Sequence, residues 1–278
     1  MIVHLIDGTY ELFRHFYGLR RTALADAPLG AAAGVLRTVV AMLETGATHV
    51  GVATDHVIES FRNDLWPGYK TGDGIDPALW AQLHPLEDLL VAMGVVVWPM
   101  VELEADDALA SAARLAALDP RVEKVTLWTP DKDLAQCVVG DRVVQVDRRS
   151  GQVRDADGVQ ARFGVVPARI PDFLALVGDA ADGYPGIDGI GAKTAARLLA
   201  SHGALEDFPP EVLGDRHAAA LLFKRLATLR VDAPLFAEVE ELRWRGATAA
   251  FPAVAACLGD DRLLARVVEL GRQRAADG

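Results

Sequence analysis

Three apolar runs in this sequence end on an aspartate, and that repeated junction constrains the fold more than any other feature. Residues 2–6 run into Asp7, residues 49–54 run into Asp55, and residues 125–129 lead to Asp131. Continuous apolar runs of this length suit strands buried on both faces of a parallel sheet. Residues 95–98 and 142–146 read as two more strands. Between the runs, residues 31–44, 78–93 and 106–118 have helical length and spacing, with Pro85 kinking or splitting the second. Strands alternating with helices predict an α/β fold with a doubly wound, mostly parallel sheet. After the turn at Arg148-Arg149-Ser150-Gly151 the pattern changes: residues 157–163, 168–176, 192–200, 216–226 and 260–272 all read as helices. The expectation is an α/β domain over residues 1–165 and an all-helical module over 166–278.

The positions of the acids then suggest a chemistry. In an open α/β sheet, ligands gather outside the carboxyl ends of the strands. Asp7, Asp55 and Asp131 converge there although they are far apart in the chain. A fourth group, Glu104-Ala105-Asp106-Asp107, opens the helix after the third strand, where the positive end of the helix dipole favours anions. Carboxylates crowded in this way repel one another and stay partly protonated unless cations are present. Oxygen ligands without His or Cys select Mg²⁺ or Mn²⁺ over zinc. The reaction that uses such a site is phosphodiester hydrolysis with two ions roughly 4 Å apart. Any single aspartate after a strand is as readily a helix cap, and residues 104–107 alone read as an ordinary acidic first turn. The combination carries the signal.

These landmarks resemble a known family, the bacterial 5′-nucleases related to flap endonucleases, which includes the N-terminal nuclease domain of DNA polymerase I and free-standing relatives. The resemblance rests on Ile6-Asp7-Gly8, Thr54-Asp55, Ser60-Phe61-Arg62, Gly68-Tyr69-Lys70 and Glu104-Ala105-Asp106-Asp107. It continues through Thr129-Pro130-Asp131-Lys132-Asp133, Gly178-Asp179-Ala180-Ala181-Asp182 and the Gly-rich stretch from Gly186 to Ala195. It implies a PIN-like nuclease domain, followed by a helical module with a helix-hairpin-helix-like element. Carried over, it makes Asp7, Asp55, Glu104, Asp106, Asp107, Asp131, Asp133, Asp179 and Asp182 the metal-binding set for two or more Mg²⁺ or Mn²⁺ ions. Arg62 and Lys70 face the scissile phosphate as catalytic cations, and Arg14 is a further candidate for the same surface. Tyr69 either stacks on terminal bases or packs in the interior. Gly189, Gly191, Lys193 and Thr194 grip the duplex backbone, with a monovalent cation such as K⁺ at the same element. Residues 71–84 form an arch over the site.

The sequence departs from the family pattern in two places. Asp73 stands where a basic residue is usual, which makes the arch less cationic. Gly183, with Ala181, is expected to loosen the surroundings of Asp182 and weaken one metal site. The implied activity is a structure-selective 5′-nuclease, a 5′-flap endonuclease or 5′-3′ exonuclease of replication and repair. Its implied partners are DNA with 5′ flaps or ends and a DNA polymerase in trans, with the nuclease itself a monomer. The alternatives are a PIN-type ribonuclease and a non-catalytic DNA-junction binding protein.

The charge balance is compatible with this. A net charge of −11, from 39 acids against 28 bases, argues against a protein that coats nucleic acid with Lys and Arg. Setting the nine candidate ligands aside leaves the remainder close to neutral. The sequence contains two cysteines and no apolar run of membrane-spanning length, and its first residues lack a basic signal region. The cytoplasm is therefore the expected location.

Overall fold

The computed structural model describes residues 1–19 and 28–277. The strands are β1 (Ile2–Asp7), β2 (His49–Asp55), β3 (Val96–Met100), β4 (Lys124–Trp128), β5 (Val143–Asp147) and β6 (Gln152–Arg154). Among the described residues they form one sheet in the order β3-β2-β1-β4-β5-β6, parallel except for the β5–β6 hairpin. The short β6 lies between the turn at residues 148–151 and the first helix expected after it, and was not among the expected strands. β3 runs on through Pro99, past the expected end at residue 98. It lies at the sheet edge, where the missing N–H of a proline costs no ladder hydrogen bond.

The helices of the α/β part are α1 (Gly8–Leu19), α2 (Gly30–Glu44), α3 (Phe61–Leu65), α4 (Pro77–Trp80), α5 (Leu83–Ala92) and α6 (Ala105–Leu118). The helix expected over 78–93 is split at Ala81-Gln82. Pro85 sits in the first turn of α5, where its missing N–H has no helical partner to lose. α1 was not expected. Its aromatic and His residues are weak helix formers, and tertiary packing of Leu12 and Glu11 into the interior decides it. The β1–α1 junction needs Gly8, since a Cβ there would lie 2.7–2.9 Å from Val52, Thr54 and the Ala53 carbonyl.

One face of the sheet packs on α1, α2 and α5 through residues such as Leu36, Val39, Leu86 and Leu90. The other packs on α6, whose alanines at 108, 112 and 116 let it lie close to Val3, Leu5 and Leu127. Beyond the sheet come α7 (Ala156–Phe163), α8 (Ile170–Val177), α9 (Ala192–His202), α10 (Pro210–Leu213) and α11 (His217–Ala227), which build a separate core around Phe173, Leu174, Leu199 and Phe223. Only part of the segment 166–278 belongs to this module. From Leu229 onward the chain returns to the sheet: Leu229, Val239 and Leu242 join the α6 side. Trp244, α12 (Phe251–Ala255) and α13 (Asp261–Asp277) join the α2 and α5 side. Among the described residues no helix is long and apolar enough to cross a membrane.

Candidate metal centre

β1, β2 and β4 are parallel neighbours, so the turns at their carboxyl ends share one edge. Asp7 is fixed there by two donors: the Tyr10 N–H to Oδ1 at 2.8 Å and the Thr129 hydroxyl to Oδ2 at 3.1 Å. Thr129 Oγ1 also accepts from the Asp131 N–H, and Asp131 Oδ1 accepts from the Asp133 N–H at 2.9 Å. This chain of turn hydrogen bonds sets the two aspartates of the β4 loop beside Asp7. Across β2, Asp55 Oδ1 caps α6 by accepting from the Ala105 N–H at 2.8 Å. From the helical module, the α8–α9 loop folds back on itself through paired hydrogen bonds between Asp179 and Tyr184, which brings Asp179 and Asp182 to the same place.

Among the described residues two groups of three carboxylates result. Asp106, Asp131 and Asp133 have oxygens within 4.8 Å of one another, and so do Asp133, Asp179 and Asp182. Asp133 belongs to both. Its Oδ1 is buried without a hydrogen-bond partner, an arrangement that a cation relieves and a purely structural carboxylate would avoid. Burial pushes five of the nearby acids toward the protonated form. Asp7 rises to about 7, mainly through desolvation, with the charges of Asp55 and Asp131 adding to it. Asp106 and Asp133 are raised well above the usual carboxylate range by burial and then by Asp131 and other neighbouring acids. Asp55 and Asp182 shift the same way, again mainly through burial. The centre fits divalent cations held by oxygen ligands.

Cations line the same cleft, which has a volume of about 270 Å³. Lys70 Nζ lies 2.7 Å from Glu104 Oε2 and 3.2 Å from Asp182 Oδ1, and Lys132 Nζ lies 2.8 Å from Asp179 Oδ2. Burial alone would raise the pKa of Glu104, but Lys70 and Arg62 outweigh it and hold the carboxyl below its usual range. A larger cavity of about 600 Å³, beside Trp128 and Arg148, has no carboxylate in its lining and is a separate feature.

Four expected site residues are placed elsewhere by the structure. Arg62 does not face the cleft: it is 1% exposed and forms a two-pronged pair with Asp107 at 2.8 Å, with a further bond to Glu104. Asp107 is correspondingly committed to Arg62 and to the backbone N–H groups of Glu104 and Arg230, and it joins neither group of three. Tyr69 is 4% exposed in the core of the helical module, its hydroxyl 3.4 Å from Glu104, so its ring has no open face for a base. Arg14 is clamped to the buried Glu11 at 2.6 Å and lies beside His15. The loosening expected at Gly183 is also absent. Its φ of +82° and a virtual Cβ only 1.9 Å from the Gly68 carbonyl show two backbones in close contact, tied by the Lys70 N–H to the Asp182 carbonyl at 3.0 Å.

Residues 2–164 match the family described as 5′-3′ exonuclease, N-terminal resolvase-like domain, and residues 165–250 match 5′-3′ exonuclease, C-terminal SAM fold. The chain belongs to the 5′-3′ exonuclease family. It is 30% identical over 208 residues to the 5′-3′ exonuclease of Aquifex aeolicus, covering 74% of this chain and 71% of that one. It is 34% identical over 259 residues to DNA polymerase I of Pseudomonas aeruginosa. That match covers 86% of this chain but spans only 28% of the relative's length. The fold is similar to that of T5 5′-exonuclease with bound divalent zinc ions, with a TM-score of 0.68, 18% identity, and 97% and 98% of the two chains covered.

In this exonuclease family member the Gly-rich hairpin stands at the surface. Gly189 and Gly191 have nothing within 4 Å of a virtual Cβ, Lys193 is exposed and Thr194 half-buried. Gly191 caps α9 without any side-chain bond, so the N–H groups of that helix start are open. In the sequence Thr129 and Lys132 stand only as part of the landmark Thr129-Pro130-Asp131-Lys132-Asp133, with no role assigned, and Arg162 is not singled out; in the structure Thr129 holds Asp7, while Lys132 and Arg162 line the cleft. Lys132 stands between two candidate ligands in the sequence, which was the available signal. Arg162 lines the cleft from α7, and no spacing rule connects it to the acids.

Proposed function

We propose that this protein is a divalent-metal-dependent 5′-nuclease that hydrolyses DNA phosphodiesters at 5′ ends and 5′ flaps, with Mg²⁺ or Mn²⁺ as its ions. The observation that carries the proposal is the pair of carboxylate groups sharing Asp133, whose buried oxygen lacks a partner. When bound, a pair of hard cations supplies Lewis-acid stabilisation of the phosphoryl oxygens and a water of lowered pKa. The protein holds the ligands in place: Thr129 and Tyr10 orient Asp7, and the Asp131–Asp133 turn fixes the β4 loop. Asp106, Asp131, Asp133, Asp179 and Asp182 are the proposed ligands, with Asp7 and Asp55 behind them and Glu104 fixing Lys70. Lys70 and Lys132 oppose the charge that develops on the phosphate, as preorganised cations in a confined cleft do.

Gly189, Gly191, Lys193 and Thr194 bind the duplex backbone through open N–H groups and one exposed cation, with K⁺ as a counter-ion at that turn. The Pseudomonas relative is a DNA polymerase, which supports a polymerase as the partner in trans.

The test is incubation with a 5′-flap duplex, a blunt duplex and single-stranded RNA, each with Mg²⁺, Mn²⁺ or EDTA. Metal-dependent cutting of the DNA substrates is expected. Asp133→Asn should lower it on the order of a thousandfold while DNA binding in EDTA persists. Cutting of RNA alone, or flap binding without cutting under either metal, would overturn the proposal.

A further inference from the structure

The ring of Tyr69 is buried, yet three other rings line up at the same sheet edge. His56 follows Asp55 directly. Its imidazole stacks on that of His84 with centroids 4.2 Å apart and planes 18° apart. Trp80 meets His84 edge-on at 6.0 Å. These rings are held firmly. The His56 Nδ1 lies 2.7 Å from Glu87 Oε2, and the other oxygen of that buried carboxylate accepts from the Thr54 hydroxyl at 2.6 Å. His84 Nε2 donates to the His56 carbonyl at 3.1 Å. Leu79, fully buried, anchors α4, and Asp76 caps its start. Despite this anchoring the rings remain open to solvent: Trp80 and the His56 side chain are each 36% exposed, and His84 is exposed.

The position of the rings matters as much as their exposure. Across the sheet β2 lies on one side of β1 and β4 on the other. The β4 side leads through Asp131 and Asp133 to Asp179, Asp182 and the Gly-rich hairpin. The β2 side leads past Asp55 to His56, His84 and Trp80. Residues 71–82 contain Asp73 and Asp76 and no Lys or Arg, so this segment offers an unpaired strand no charge attraction.

We propose that His56, His84 and Trp80 form a stacking platform for unpaired bases of the 5′ strand on the far side of the acid cleft from the Gly-rich hairpin. The inference rests on the 5′-nuclease reading and adds to it the mode of strand capture. Base stacking on aromatic rings tolerates any sequence, because every base has a π-face, and it needs no phosphate contact. The platform thus replaces electrostatic capture by an arch. Its contribution depends on the bases and not on salt.

The experiment measures dissociation constants in EDTA for a duplex with a 5′ thymine tail, the same duplex with an abasic tail, and the duplex without a tail. The thymine tail is expected to tighten binding about tenfold over the abasic tail, by the same factor at low and at moderate salt. Trp80→Ala and His84→Ala should each remove most of that factor, and Trp80→Phe should keep it. Overturning results are a thymine advantage that survives the Trp80→Ala/His84→Ala double variant, or one that disappears as salt rises. If wild-type protein cuts flaps yet binds both tails equally, the platform is refuted and the nuclease reading stands. Wild-type protein that neither cuts flaps nor binds tailed DNA overturns both.

Discussion

Replacing Arg62 with Met separates a buried strut from a phosphate contact. In the structure all five N–H donors of the guanidinium are engaged: with Glu104, twice with Asp107, and with the carbonyls of Leu226 and Thr228. These bonds tie α3 to the start of α6 and to the chain leaving α11. Met fills a similar volume but leaves Asp107 as a buried charge that retains only two backbone N–H donors. Breaking one side of a buried ion pair in this way costs about 3–5 kcal/mol. For a chain of this size that corresponds to a fall in melting temperature of roughly 10 °C. Adding Asp107→Asn removes the stranded charge and should recover part of the loss, whereas independent sites would add. Thermal unfolding by circular dichroism measures this, alongside the salt dependence of duplex binding in EDTA. A melting temperature within about 2 °C of wild type, with a salt slope reduced by about one, would show that Arg62 touches phosphate and refute the buried-strut argument.

Other predictions follow from the same geometry. Asp7, Asp55, Asp106, Asp133 and Asp182 all have raised pKa values when folded without metal. The folded state then holds protons that the unfolded chain releases, so metal-free stability should fall as pH rises from about 4.5 through 7, the value reached by Asp7. Mg²⁺ should restore more stability at pH 7.5 than at pH 5, because at low pH it must displace protons; melting curves with and without EDTA check this, and equal restoration at both pH values would contradict it. Gly183→Ala drives a Cβ into the Gly68 carbonyl and should cost about 1–3 kcal/mol while weakening Mg²⁺ binding, read by chemical denaturation and by metal titration. Lys193→Ala should weaken duplex binding uniformly across sequences and reduce the salt slope by about one; an unchanged slope would remove it from the interface.

The central strands and most longer helices were legible because their signals are local. Apolar runs of strand length, helical spacing and turn residues put β1, β2, β4, β5, α2, α6 and α9 close to where they stand. α1 escaped because its helix depends on burying Glu11 and Leu12 against other elements. β6 escaped because three residues carry no period, and only the hairpin with β5 gives them a partner. The rings at His56, His84 and Trp80 escaped for a similar reason, since they meet only after α4 and α5 fold back on the end of β2.

By itself the chain determined that acids would gather at the carboxyl edge of a parallel sheet, because a strand that ends on aspartate can deliver it nowhere else. Which of those acids look into the cleft was decided in three dimensions. Asp106 and Asp107 are adjacent in sequence, but successive residues on a helix point about 100° apart. One therefore joins Asp131 and Asp133, while the other turns inward to Arg62. The shared position of Asp133 arises in the same way: it exists only because a loop of the helical module closes over the end of β4.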